Sequence, residues 1–288
     1  MAPDKPLNKH NHQKPVLITG CSTGIGYQTA KDLAARGYDV IATARNPKDV
    51  EQLKAQGLFS LPLDLSDSES IHLAFESIMQ HTEGRIYGLF NNGAYGQAGA
   101  VEDLSRELIT QQFETNVFGW MELTNLVIPL MRKHNHGRII FNSSILGLIA
   151  LKFRGAYNAS KFAIEGFADT LRLELHDTNI QISLIEPGPI DTRFRNNSYE
   201  IYKKAINREQ SAFREEYLLA EKRLQKQEAA TPFTLPASAV SKKVIHALES
   251  QRPNSRYYVT FPTYLFAYLK RILPTTILDR LLLKISNS

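Results

Sequence analysis

Short apolar runs recur along the chain, and most are followed by a stretch with helical spacing. VLIT (16–19) has the length and content of a buried strand, and residues 24–36 have the spacing of a helix that stops at Gly37. VIATAR (40–45) predicts a second strand, with a helix near 47–55 after it. FSLPLDL (59–65) is the third apolar run, made irregular or peripheral by Pro62, which has no N–H for a ladder. Residues 67–82 read as a helix opened by a Ser/Asp cap. IYGLFNN (86–92), RIIF (138–141) and IQISLIE (180–186) predict three more strands, separated by helical patterns over 105–132 and 156–177. Repeated units of this length specify an α/β doubly wound architecture, a parallel sheet with helices on both faces. No internal repeat, low-complexity tract or linker precedes residue 195.

The pattern then breaks. Residues 195–235 are highly charged with Tyr202, Ile206, Phe213, Tyr217 and Leu218 interspersed, as in one or two amphipathic helices. A helix over 237–250 and a last strand, RYYVT (256–260), follow. Residues 261–288 are rich in Leu, Ile, Phe and Tyr but are interrupted by Lys270, Arg271 and Pro274, so they hold no membrane-spanning run. Such a basic amphipathic segment either lies on a membrane surface or packs over a pocket or into an oligomer interface. The expected division is a loose tail at 1–13, a domain over 14–260 and an apolar, basic extension over 261–288.

Length and charge narrow the classes. With 288 residues, 43% of them hydrophobic, the chain can bury one large core. A net charge of +5 suits an anionic cofactor or membrane surface, but the basic residues are spread out, which argues against nucleic acid. Cys21 is the only cysteine, so no internal disulfide forms, in keeping with a cytoplasmic setting, with or without membrane association. MAPDKPLNKHNHQK lacks the apolar stretch of a signal peptide. The eight histidines have no carboxylate or cysteine partners at ligand spacing, so no metal is expected.

The chemistry concentrates between Gly137 and Lys161. Ser143 and Ser144 follow the strand RIIF, and Tyr157 and Lys161 lie four apart at the start of a helix, on one face. An ammonium beside a phenol favours phenolate and should lower the Tyr157 pKa, while a serine hydroxyl can hold the oxygen that the phenol protonates. Tyr-x-x-x-Lys also occurs at Tyr27/Lys31 and Tyr199/Lys203, but Lys14 and Glu186 stand there at the offset that Ser144 occupies before Tyr157.

Ser144, Tyr157 and Lys161 at these spacings resemble the active site of the short-chain dehydrogenase/reductases. TGCSTGIG (19–26) and NNGA (91–94) resemble that family's cofactor motifs, in the right order. YNASKFAIEGFADTLRLEL and SLIEPGPIDT resemble most the branch of hydroxysteroid and retinol dehydrogenases and bacterial aldehyde reductases. The resemblance implies a Rossmann fold of strand order 3-2-1-4-5-6-7, with residues 195–235 covering the substrate. It also implies a homodimer or homotetramer built on the helices at 105–132 and 156–177, and a catalytic role for Asn116 as the anchor of a water next to Lys161.

The glycine loop follows a strand and opens a helix, the context a dinucleotide site requires. Gly20 permits the turn, Gly24 and Gly26 permit close approach, and N–H groups around Ile25 can meet phosphate. At the end of the second strand an acidic residue would select NAD; Ala44 and Arg45 stand there instead, and an arginine fork suits the 2′-phosphate of NADP(H), with Ser22 or Thr23 adding a hydroxyl. By resemblance, Asp64 and Leu65 contact the adenine, Asn92 and Gly93 border the cofactor, and Pro187, Gly188, Ile190 and Thr192 cross the nicotinamide. Asp64 otherwise reads as a helix cap.

These parts predict an NADP(H)-dependent oxidoreductase acting on a carbonyl/alcohol pair. The apolar loop Ile145–Phe153, with Phe194 and Phe213, points to an apolar aldehyde, a retinoid-like aldehyde or a steroid-like ketone. Two other classes stay open on this scaffold: a catalytically silent NADP(H) sensor, and a nucleotide-sugar epimerase or dehydratase. The first should lack the tyrosine or lysine, and the second should carry a sugar-nucleotide domain.

Overall fold

The computed structural model describes residues 14–225 and 233–287; the expected tail at 1–13 and residues 226–232 of the charged insert lie outside them. The first half alternates β1 (Pro15–Ile18), α1 (Gly24–Ala34), β2 (Asp39–Ala44), α2 (Pro47–Ala55), β3 (Phe59–Pro62), α3 (Ser68–Thr82) and β4 (Gly88–Asn91). Then come α4 (Arg106–Phe113), α5 (Gly119–Lys133), β5 (Gly137–Asn142), α6 (Gly155–Glu174) and β6 (Ile180–Glu186). The last third comprises β7 (Ile190–Asp191), α7 (Phe194–Ala205), α8 (Arg214–Gln225), β8 (Leu235–Pro236), α9 (Ser238–Glu249), β9 (Arg256–Tyr258), α10 (Phe261–Ile272) and α11 (Thr275–Asn287).

Seven parallel strands form one sheet in the order β3-β2-β1-β4-β5-β6-β9, and β7 pairs with β8 apart from it. With β9 as the seventh sheet strand, this is the Rossmann order expected. Chain direction across the sheet reverses between β1 and β4, which opens a crevice at the carboxyl ends of these strands. Every residue of β1, β4 and β5 is buried, as helices on both faces require. Neighbouring β1 residues feed opposite layers: Leu17 packs with Trp120 and Phe141, while Val16 and Ile18 pack with Phe90 and Val244. Pro62 ends the edge strand β3, paired with Ala44, so the peripheral placement holds.

The expected helix over 105–132 is interrupted. Glu114–Phe118 forms a widened π turn between α4 and α5, with Asn116 buried inside it. A turn of this kind admits one extra residue and re-aims a side chain. Gly119 follows because a Cβ there would lie 1.9 Å from the Leu65 carbonyl oxygen. The C-terminal extension forms two helices, and among the described residues no helix is long and apolar enough to cross a membrane.

Candidate active site

The glycine loop and the end of β4 are built against each other. Gly20 has φ +70°, and a Cβ on it would stand 2.5 Å from the Gly93 Cα. A Cβ on Gly26 would meet the Gly20 oxygen at 2.3 Å and Asn92 Nδ2 at 2.6 Å. Asn92 Nδ2 donates to the carbonyls of Thr19 (2.9 Å) and Gly20 (3.1 Å), and Asn142 Nδ2 donates to Asn92 Oδ1 at 2.9 Å. The backbone N–H groups of Asn92 and Gly93 both donate to Thr19 Oγ1, at 2.8 and 2.9 Å. Asn92 therefore spends its amide on shaping the loop.

In front of this loop lies a cleft of about 460 Å³ lined by Ser22, Thr23, Gly24, Tyr27, Asp191 and Thr192, among others. Thr23 caps α1 without a side-chain bond, and no acid occupies the first turn. A helix start with neither internal anion nor capping oxygen fits a phosphate-bearing dinucleotide. Ile25 packs partly into the core and offers its backbone alone. Cys21 is buried, donates to the Ile18 carbonyl at 3.3 Å, and has its thiol pushed up to about 12 by burial, so it fills the turn as an inert residue.

Arg45 is exposed directly after β2, and its charge pulls down the phenol of Tyr95, which burial pushes up. Asp64 Oδ1 accepts from the N–H (3.0 Å) and hydroxyl (2.7 Å) of Ser66. It thus ties its own turn, and the cap of α3 is Asp67. The Pro187 carbonyl accepts from Ile145 N at 2.8 Å, fixing the loop after Ser144 to the end of β6. Gly188 is required where a Cβ would lie 2.1 Å from Thr260 Oγ1. Ile190 pairs with Leu235, and Thr192 faces Gly24 across the cleft, 3.1 Å from the place of a Cβ there.

The catalytic candidates converge. Ser144 accepts from Leu146 N at 3.1 Å, and its hydroxyl pulls down the Tyr157 phenol beside it. Lys161 Nζ donates to the Asn142 carbonyl at 2.7 Å, lies 5.6 Å from the Tyr157 ring centroid, and sits 4.4 Å over the Trp120 ring. Asn116 does not reach Lys161 directly. Its Nδ2 donates to the Tyr95 carbonyl (2.9 Å) and Ser160 Oγ (3.2 Å), and its Oδ1 accepts from Tyr95 N at 3.1 Å. Ser160 in turn donates to the Tyr157 carbonyl at 2.8 Å.

The electrostatics reverse one expectation. Burial pushes Tyr157 up to about 12, against the downward pull of Ser144 and Arg154. Burial also pushes Lys161 down to about 7, with Glu165 holding it up. Loss of hydration disfavours charge on both groups and is the largest influence on each. The lowered tyrosine pKa argued from spacing is thus overturned: the sequence shows the neighbours but not how dry their site is.

Sequence reasoning missed several groups. Trp120 sits inside an apolar pattern without a motif of its own, and Thr19 and Ser160 lie inside the TGCSTGIG and YNASK motifs without a role assigned from sequence. Glu165, Asp169, Glu186 and Arg256 form an ionic cluster behind the site whose members come from α6, β6 and β9. Glu165 and Asp169 are one helical turn apart, but only the closed sheet brings Arg256 to them.

Comparison with known proteins places this geometry. The family model for short chain dehydrogenase matches residues 14–203. The chain is 42% identical over 270 residues to the uncharacterized oxidoreductase YbbO of Escherichia coli K12, covering 94% of each. It is 32% identical over 293 residues to 17-beta-hydroxysteroid dehydrogenase type 6 of Rattus norvegicus, covering 97% of this chain and 90% of that one. Among solved structures, serine dehydrogenase complexed with NADP+ superimposes with a TM-score of 0.73 at 25% identity, over 86% of this chain and 95% of that one. With its Rossmann sheet and its serine, tyrosine and lysine brought together, the chain belongs to the short-chain dehydrogenases, a family of oxidoreductases that bind a nicotinamide cofactor, and stands close to their hydroxysteroid and retinol dehydrogenase-like branches.

Proposed function

We propose that the protein is an NADP(H)-dependent oxidoreductase that interconverts a carbonyl and an alcohol on an apolar substrate. The convergence of Ser144, Tyr157 and Lys161 carries the reaction class. When bound, the nicotinamide supplies or accepts the hydride. Gly20, Ser22, Thr23, Gly24, Ile25 and Gly26 would hold the phosphates, Asp64 and Leu65 the adenine end, and Ile190 and Thr192 the nicotinamide end. In reduction, Tyr157 gives its proton to the substrate oxygen; a phenol held near 12 is fully protonated at neutral pH. Ser144 donates to the same oxygen as charge develops on it. Lys161, whose charge Glu165 supports against burial, stabilises the phenolate left behind. Asn116 fixes Tyr95 and, through Ser160, the helix turn that carries Tyr157.

Arg45 supports NADP(H) over NAD(H): it is exposed at the end of β2, and no carboxylate stands before Asp49. The surroundings support an apolar substrate. Leu146, Ile149, Phe266 and Leu282 cluster with Tyr157, and the Phe194 ring centroid is 5.4 Å from the Tyr157 ring. The steroid substrate named for the Rattus norvegicus relative is in keeping with such a lining. The described residues of the 195–235 insert serve as the substrate cover: Tyr202 and Tyr217 pack with Ala100 and Ala156, and Tyr217 Oη accepts from Ala100 N at 2.6 Å. Association through α5 and α6 would cover Phe118, Phe167 and Leu173, which are exposed.

The test is consumption of NADPH and NADH by the purified chain against apolar aldehydes and ketones, with polar sugars as controls. Turnover with NADPH and an apolar carbonyl is expected, and Arg45→Asp should move the preference towards NADH. Turnover with NADH alone would remove the Arg45 argument and leave the catalytic one. Tight NADPH binding without turnover on any carbonyl would sink the reading.

A further inference from the structure

α10 carries apolar side chains on two opposite faces. Thr263, Phe266 and Ala267 are buried against the body. Phe261, Tyr264, Leu265, Tyr268 and Ile272 are exposed, Phe261 by 59% and Tyr268 by 65%. At 3.6 residues per turn these five positions fall within about 100° of arc, opposite the buried three. Phe233, also exposed, extends the stripe, with its ring centroid 5.3 Å from that of Phe261. A continuous stripe of this size marks an interaction surface rather than a solvated helix face.

The inner face of the same hairpin closes the active site. Phe266 and Leu269 of α10 and Leu278 and Leu282 of α11 share one apolar cluster with Leu146, Ile149 and Tyr157. Ser286 Oγ accepts from Lys152 N at 3.3 Å, and Lys270 Nζ lies 4.7 Å over the Phe162 ring. The two helices are thus held over the loop that follows Ser144.

Charge selects the occupant of the outer face. From Phe261 onward the chain carries Lys270, Arg271, Arg280 and Lys284 against the single acid Asp279. Arg271, Arg280 and Lys284 are exposed, and helical spacing places Arg271 at the border of the stripe. Aromatic and aliphatic side chains rimmed by cations complement the interface of an anionic lipid layer. A second copy of the chain would bring the same cations to this face and be repelled. We infer that the α10–α11 hairpin docks on an anionic lipid surface with the stripe in the interface. Resting on the apolar-carbonyl reading above, the site takes its substrate from that layer.

The test is flotation of the full chain with vesicles of phosphatidylcholine plus phosphatidylglycerol, and of phosphatidylcholine alone. The chain should rise with the anionic vesicles. The double variant Tyr264→Ser/Tyr268→Ser should lower partition by about tenfold or more, since a buried aromatic is worth more than one decade. Arg271→Ser/Arg280→Ser/Lys284→Ser should lower it by about fivefold per cation, about 1 kcal/mol each. Both variants should reduce a short soluble aldehyde as well as the parent, and only the tyrosine pair should melt slightly lower, because Tyr264 also packs edge-on against Tyr258. A parent chain that stays with the lipid-free fraction overturns the docking. So does a parent oligomer that Tyr268→Ser splits while flotation is unchanged, which would assign the stripe to a second copy. Equal reduction of a vesicle-embedded long-chain aldehyde by the parent and the tyrosine variant overturns the substrate route. Flotation needs no turnover, so a chain that floats but reduces nothing counts against the proposed reaction and not against the docking.

Discussion

Ser143 Oγ donates to Glu165 Oε1 at 2.5 Å, joining the residue before Ser144 to the helix turn after Lys161. Arg256 Nη2 clamps Glu165 at 2.9 Å and Asp169 at 2.8 Å, and its Nε lies 3.1 Å from Glu186 Oε1. One guanidinium is thus shared by three carboxylates behind the catalytic face. The Glu165 charge holds up the Lys161 pKa against burial. Glu165→Gln keeps an acceptor for Ser143 but removes that charge, so Lys161 loses its proton at lower pH. The limb of the pH profile of kcat/KM that follows charged Lys161 should move to lower pH, with cofactor affinity at low pH little changed. A profile that stays in place would show that Lys161 does not feel Glu165. Glu165→Ala should in addition cost about 1–3 kcal/mol of stability, because Ser143 and part of Arg256 lose a buried partner.

Tyr157→Phe removes the transferable proton while keeping the ring that packs with Leu146 and Phe266. Turnover should fall by about 10²–10⁴-fold, with NADPH binding retained when followed by nucleotide fluorescence. Ser144→Ala should cost about 10²–10³-fold, the range for losing one donor to a developing oxyanion. With Tyr157 held near 12, reduction should proceed with a neutral phenol at physiological pH, and alcohol oxidation should quicken as pH rises. A Tyr157→Phe chain with parental turnover would remove the phenol from the mechanism.

How far the sequence reached depended on whether a feature was local. The strand and helix order was legible because each βα unit carries its own apolar run and stop signal, and Gly20, Gly24 and Gly26 could be read because their spacing forms one local motif, although Gly93, Thr192 and Asn92, which crowd them, come from distant parts of the chain. The break at Glu114–Phe118 was not legible: ETNVF has no proline or glycine, and the bond that Asn116 makes within it goes to Tyr95, distant in sequence. The raised Tyr157 pKa and the Glu165–Arg256 cluster were hidden for the same reason, since both come from burial between distant elements. The two faces of α10 were half legible: amphipathic spacing is visible in the sequence, but which apolar residues turn inward is decided by the loop at Leu146 and Ile149.

Gly20→Ala tests how tightly the cofactor loop is built. The backbone there has φ +70°, where any Cβ is strained, and the added carbon would stand 2.5 Å from the Gly93 Cα. Strain of this kind costs about 1–3 kcal/mol, and the contact adds to it. The variant should melt lower and bind NADPH markedly more weakly, because moving Gly93 disturbs the Thr19 bonds that hold Asn92 and Gly93. Gly57→Ala is the control: it also has positive φ (+82°), but nothing lies within 4 Å of the added carbon. It should cost backbone strain alone and leave NADPH affinity unchanged. Equal losses of affinity in the two variants would show that the Gly20–Gly93 contact does not shape the site.

Buried ionisable groups also set the dependence of stability on pH. Burial pushes Glu186 up from 4.5 to about 8, helped by the charge of Glu165, with Arg256 pulling the other way. Between these two values the folded chain binds more protons at this position than the unfolded chain, so its contribution to stability falls as pH rises. Lys161 acts with the opposite sign. Its pKa drops from 10.5 to about 7 on folding, so between about 7 and 10.5 the folded chain binds fewer protons and stability rises with pH. The two slopes oppose each other between pH 7 and 8. Glu186→Gln should therefore lessen the loss of stability between pH 5 and 7, and Lys161→Met should remove the gain above pH 8. Denaturant unfolding across this range reads both slopes, and a Glu186→Gln chain that keeps the parental slope below neutrality would mean that Arg256 already holds this carboxylate ionised.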